Sequence, residues 1–256
     1  MASLDERIER AHRGGAGDIR LLVYDPAAEV LEALLGNPVF SEEHLLTLLQ
    51  RKDVPGELLE VVAKNEHWSR SQRVKAALVR HPRTPRLAAL RLLKFLYLFD
   101  LVTVSLQPAA PAEIKRLAEE QIINRLEQLP VGQQVALARR GTARVAAALL
   151  ERGSELVIPA ALDNPLLSEA ALLGVMRRVA VPEAVVEQIA WHPKWSLRYD
   201  LRLQLVRHPK TPLALALRFL PDLKPGDLRL IASDKRMTAE MRAYVAAEAE
   251  RRLRRR

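Results

Sequence analysis

"LVRHPRTP" at residues 78–85 returns as "LVRHPKTP" at residues 205–212, 127 positions later and with one letter changed. The phrase reads as punctuation between two helices. A residue before proline is pushed out of the α region, so the helix carrying Leu78 and Val79 ends at about Arg80, and its counterpart at about Arg207. Thr84 and Thr211 are of the type that accepts hydrogen bonds from the free N–H groups of a new helix. Pro85 and Pro212 suit its first position, where no N–H is missed and φ is already helical. The phrase spells stop, turn and restart, so it carries geometry rather than chemistry.

The same shift of 127 aligns the whole chain with itself without a gap. "NPVFSEEHLL" (37–46) meets "NPLLSEAALL" (164–173), and "RGGA" (13–16) meets "RGTA" (140–143). Val54-Pro55 meets Val181-Pro182, Trp68-Ser69 meets Trp195-Ser196, and Asp100-Leu101 meets Asp227-Leu228. About 39 of some 128 aligned positions are identical, too many for chance, so the chain reads as a tandem duplication of a 127-residue half. Within each half, apolar residues recur at helical spacing (Leu45, Leu46, Leu48, Leu49; Val74, Ala77, Leu78), broken by Asn-Pro or His-Pro and then Ser or Thr.

Asn37 to His81 is 44 residues, the length of a two-helix repeat. The expected fold is therefore all-α: a right-handed α-solenoid of about six helix pairs, with halves 1–128 and 129–256 stacked as one continuous domain. At "ALVRHPRTPRLAAL" (77–90) and "QLVRHPKTPLALAL" (204–217) the chain resembles the HEAT-like and leucine-rich repeat variant families. It departs from them in the uneven spacing of its turns, 28, 16 and 26 residues from Asn37 to Asn65, His81 and Gln107. That resemblance implies a binding surface, and so a non-enzymatic scaffold with a protein partner.

Composition excludes several chemistries. There is no cysteine, which removes disulfides, thiol nucleophiles and thiolate metal sites, and with them the iron–sulfur module of some relatives. "MASLDERIERAH" has no apolar stretch of the signal-peptide kind. The most apolar run, residues 90–106, is interrupted by Lys94 and Asp100 and is too short to span a membrane. A cytoplasmic protein without cofactor or metal is expected. The net charge of +9 lies in one half: residues 1–128 hold 18 basic and 18 acidic residues, residues 129–256 hold 22 and 13. Five of the positive charges stand in the terminal "RRLRRR" of a basic C-terminal helix, whose last turn the helix dipole favours.

No residue set has the spacing that catalysis demands. His81 and His208 read as groups satisfying carbonyls at helix ends. Trp68 and Trp195, placed just before Ser69 and Ser196 as N-caps, read as packing over helix starts. The sharper reading of those tryptophans comes from HEAT-like alkylpurine DNA glycosylases, which hold an extruded nucleotide between concave-face tryptophans and an aspartate; Asp100 and Asp227 are then the candidates. "RGGAGD" (13–18) lacks the Lys and Ser/Thr of a phosphate loop and reads as a helix connector.

Two surfaces remain. Arg80, Arg198, Arg202, Arg207 and Arg218 are candidates to hold phosphate, which makes nucleic acid the alternative partner, with ion pairs to neighbouring carboxylates as the competing explanation. The other surface lies where the halves disagree. "KFLYLFDLVTV" (94–104) stands opposite "PDLKPGDLRLI" (221–231), so Phe95, Tyr97, Phe99 and Val102 replace Asp222, Lys224, Gly226 and Arg229. If the backbones match, the charges mark surface, and the first half exposes aromatics there to a protein partner or to a second copy of the chain. The competing explanation is a longer helix folded into the junction between the halves.

Overall fold

The computed structural model describes residues 2–178, 180–234 and 237–253, the side chains of 252 and 253 excepted. The described residues form helices and no strand. They divide into two compact units, Met1–Ile122 and Ile123–Arg256. The first holds α1 (Leu4–Arg13), α2 (Ala16–Leu22), α3 (Ala28–Leu35), α4 (Glu42–Leu48), α5 (Gly56–Lys64), α6 (Glu66–Ser69), α7 (Gln72–Arg80), α8 (Arg86–Leu93) and α9 (Leu98–Leu106). α10 (Ala112–Arg125) runs across the division. The second unit holds α11 (Val131–Arg140), α12 (Ala143–Arg152), α13 (Val157–Leu162), α14 (Glu169–Met176), α15 (Glu183–Trp191), α16 (Tyr199–Arg207), α17 (Leu213–Phe219), α18 (Pro225–Ser233) and α19 (Ala239–Leu253).

Helices of six to ten residues are too short to persist alone in water, so packing must hold them. In the first unit α1, α3, α5 and α8 pack in succession, as do α4, α7 and α9. In the second, α11, α13 and α15 form one such row, and α12, α14 and α16 another. Between the rows lies a Leu-, Val- and Ala-rich core that fully buries Leu31, Leu45, Leu59 and Leu78, among others. Each such leucine contributes about 2 kcal/mol of hydrophobic stabilisation.

Polar side chains tie successive turns to earlier helix ends. The buried amide of Asn37 donates to the carbonyls of Ala11 (2.8 Å) and Gly14 (3.1 Å) and accepts from Val39 N–H. Asn164 makes the same three bonds, to Ala138 (2.6 Å), Gly141 (2.9 Å) and Leu166, each partner 127 positions on. The accepting glycines are required there. A Cβ on Gly14 would stand 2.4 Å from the Arg10 carbonyl, and one on Gly141 2.7 Å from that of Leu137. "RG" recurs because the chain must turn against its own helix end.

The His-Pro turns work alike. His81 Nε2 meets the Arg51 carbonyl at 2.6 Å while its Nδ1 meets Arg83 N–H at 3.1 Å. A carbonyl only accepts and an amide N–H only donates, so the ring is the neutral Nε2–H tautomer. His208 is placed the same way between the Arg178 carbonyl (3.4 Å) and Lys210 N–H (3.3 Å). α7 and α16 end at Arg80 and Arg207, where the proline rule puts them.

Two details differ from the sequence reading. Thr84 and Thr211 do not cap the following helices; their hydroxyls donate backwards, at 2.6 Å, to the carbonyls of Leu78 and Leu205. Pro85 and Pro212 occupy the N-cap position with extended ψ, which leaves no role there for the threonine. Nor are Ser69 and Ser196 N-caps: Ser71 and Arg198 hold those positions. Ser168 and Thr142 do cap as their type predicts, accepting from Ala171 N–H and Val145 N–H.

Candidate functional site

The turn between α8 and α9 is built on one buried residue. Leu96 is turned into the core, with its N–H on the Leu93 carbonyl, and Phe95 and Tyr97 on either side of it point outward. Phe95 is 64% exposed, Tyr97 65% and Phe99 45%. Among the described residues, none of the three rings stacks on another ring or on a cation. Val102 does not belong with them. It is buried, because α9 buries a broad arc running from Leu101 and Val104 round to Ser105, and three residues along a helix bring Val102 back to within about 60° of Ser105. The matching Arg229 is exposed on α18, which buries only Leu228 and Ile231.

A groove of about 560 Å³ opens between α4, α7 and α9, lined among others by Thr47, Gln50, Arg80, Asp100 and Gln107 but by none of the three aromatic rings. Arg73 lines it too and is held by Glu43 at 2.5 Å, which keeps the Glu43 carboxyl below its ordinary range through that bond and the guanidinium charge. Arg80 turns its Nε to the Ala76 carbonyl and forms no ion pair among the described residues.

The five candidate arginines are engaged differently. Arg198 lies 4.0 Å from Glu169, and Arg202 bonds Asp222 at 3.0 Å and the Ser196 carbonyl at 2.5 Å. The Arg218 guanidinium stacks 4.3 Å from the centre of the Trp191 ring. Arg207 buries its Nε without a hydrogen-bond partner. Ion pairing and stacking occupy three of the five, and Arg80 stands in the first unit while the rest stand in the second.

Trp68 and Trp195 are buried, and the Trp195 indole donates to the Leu162 carbonyl at 2.8 Å. Asp227 accepts from the Tyr199 hydroxyl, which in turn accepts from Lys224 N–H. The terminal residues 254–256 lie outside the described residues. Arg251, just before them, pairs with Glu248 at 2.7 Å. No helix among the described residues is long and apolar enough to cross a membrane, and no group of three metal-ligating side chains occurs among them.

Sequence reading passed over the one exposed tryptophan, Trp191, which is 64% exposed at the end of α15. The available signal was the disagreement of the halves at that position, Trp against Lys64. Comparison with protein-family models, with curated proteins and with solved structures returns no match.

Proposed function

We propose that the chain is a non-enzymatic helical-repeat scaffold that binds a protein partner through the α8–α9 turn, with Phe95, Tyr97 and Phe99 as anchors. Its fold in this reading is a right-handed α-solenoid made by duplication of a 127-residue half. The 39 identities at that shift and the recurrence of the Asn and His bonds support it. The observation that carries the functional reading is the exposure of three aromatic rings within five residues, without a ring or cation upon them among the described residues. Large exposed aromatics on a rigid turn are the groups that dominate binding energy once desolvated.

The test is affinity capture from a cell extract at about 0.05 and 0.5 M salt, with wild type and the Phe95→Ala, Tyr97→Ala, Phe99→Ala triple variant side by side. Apolar anchoring predicts a specific polypeptide held at both salt concentrations and lost from the variant. The same proteins on wild type and variant would refute it. Retention of only the chain itself, lost with the triple variant, would replace the partner by a second copy. Binding of a fluorescent DNA duplex that falls steeply with salt and depends on Arg80 and Arg207 would favour nucleic acid instead.

A further inference from the structure

Glu60 and Lys64 stand one turn apart on α5, and the Lys64 ammonium sits 2.8 Å from the Glu60 carboxylate. This bond, with help from Arg91, holds the Glu60 carboxyl below its ordinary range. On α15 the same two positions, 127 residues on, are Glu187 and Trp191. The carboxylate is kept and its cation is replaced by an indole. Glu187 is exposed and forms no ion pair among the described residues.

Around Glu187 lies a cavity of about 330 Å³, lined among others by Leu162, Asp163, Glu187, Gln188, Trp191 and His192. Its formal charges are the two carboxylates. His192 accepts Lys194 N–H on Nδ1, so its Nε2–H is the donor that meets Asp163 at 3.2 Å. The Trp191 ring already holds one guanidinium, that of Arg218, which does not line the cavity. Trp191 remains 64% exposed with Arg218 upon it. An aromatic wall with carboxylates at its edge is what a desolvating cation requires, and a planar guanidinium gains from both.

We propose that the α13–α15 cavity of the second unit binds an arginine side chain of a basic peptide segment on a partner, which stacks on Trp191 and is paired by Glu187 and Asp163. The first unit displays the logic of the site with the cation built in. This site does not rest on the aromatic turn of the first unit, and either can fail without the other.

Indole N–H resonances of the full chain provide the readout, because Trp191 is exposed while Trp68 and Trp195 are buried. Titration with acetyl-Gly-Arg-Gly-Arg-Gly-amide at about 50 mM salt is expected to shift the Trp191 resonance alone. Acetyl-Gly-Glu-Gly-Glu-Gly-amide is expected to leave it in place. Trp191→Phe assigns the resonance. Glu187→Gln should weaken binding about threefold, and Asp163→Asn with it about tenfold. Trp191→Lys, followed by labelled-peptide anisotropy, should abolish binding by supplying the internal cation of the first unit. No shift, equal shifts of all three indoles, or anisotropy unchanged in Trp191→Lys would overturn the site. A lysine peptide binding as tightly would overturn the assignment of arginine.

Discussion

The turns at 94–99 and 221–226 share a buried leucine and an extended N-cap and share nothing on their surface. Leu96 and Leu223 are both buried pivots, and the N-cap residues Tyr97 and Lys224 have nearly the same extended dihedrals. In the second turn each polar group is engaged within the unit. Asp222 holds Arg202, Lys224 lies 4.9 Å over the Tyr199 ring, and the Tyr199 hydroxyl bridges Lys224 N–H and Asp227. In the first turn Tyr199 is matched by Gln72, whose Oε1 is buried without a partner, and the charges are matched by bare aromatic rings. One turn is closed upon its own unit and the other is left open. Buried geometry recurs where it holds the helices together, while the surfaces differ.

The strongest break in that picture would come from its shared part. Asn164 is 1% exposed and satisfies two carbonyls at once. Asn164→Ala leaves both acceptors buried and unpaired and opens a small cavity, so it should cost about 3 kcal/mol in urea unfolding. Asn37→Ala should cost nearly as much, since its bonds are only slightly longer. A large loss at one and none at the other would show that equal geometry hides unequal energetics.

A smaller effect tests the closed turn. Tyr199→Gln gives the second unit the residue of the first and removes the hydroxyl shared by Asp227 and Lys224 N–H. The expected loss is about 1–2 kcal/mol at neutral pH. Burial, and then the bond to Asp227, raise the Tyr199 hydroxyl above its ordinary pKa of 10.0. Its contribution is therefore complete below pH 10.0 and lost as pH rises through the folded value. A wild type and a Tyr199→Gln variant that keep a constant stability difference through that alkaline range would contradict the bond's role.

How much of this was legible beforehand follows from the reach of each signal. Helix ends at Arg80 and Arg207 follow from a steric rule acting on adjacent residues, and sequence suffices for them. Thr84 was misread because a hydroxyl serves equally as acceptor for the next helix and donor to the last one. Only the extended ψ of Pro85 settles which. Exposure of Phe95, Tyr97 and Phe99 was inferred from the charges of the other half and agrees with the structure, but Val102, inferred in the same way from Arg229, is buried. Arg229 is exposed as its charge demands, but α9 buries a wider arc than α18, so exposure does not carry over from one helix to the other. The five arginines are individually visible in sequence and their neighbours are not, since Glu169, Asp222 and Trp191 are each brought in from another helix.

The smallest expected effect separates the two histidines, which share a tautomer but not a bond length. His81 meets its carbonyl at 2.6 Å, and His208 at 3.4 Å. Burial lowers the pKa of His208 below 6.5, and the Lys210 charge lowers it further against the opposing bond to the Arg178 carbonyl. Above pH 6.5 the folded and unfolded forms are both neutral there and the residue adds no pH dependence. Below it the unfolded chain takes up a proton that folded His208 refuses, so stability falls as pH falls. Urea unfolding at pH 8, 6 and 5 should show this decline, and His208→Gln should flatten it while leaving the rest of the profile in place. A variant whose profile falls as steeply as wild type would assign the decline to other groups. The two turns would then differ in bond length without differing in what the histidine does.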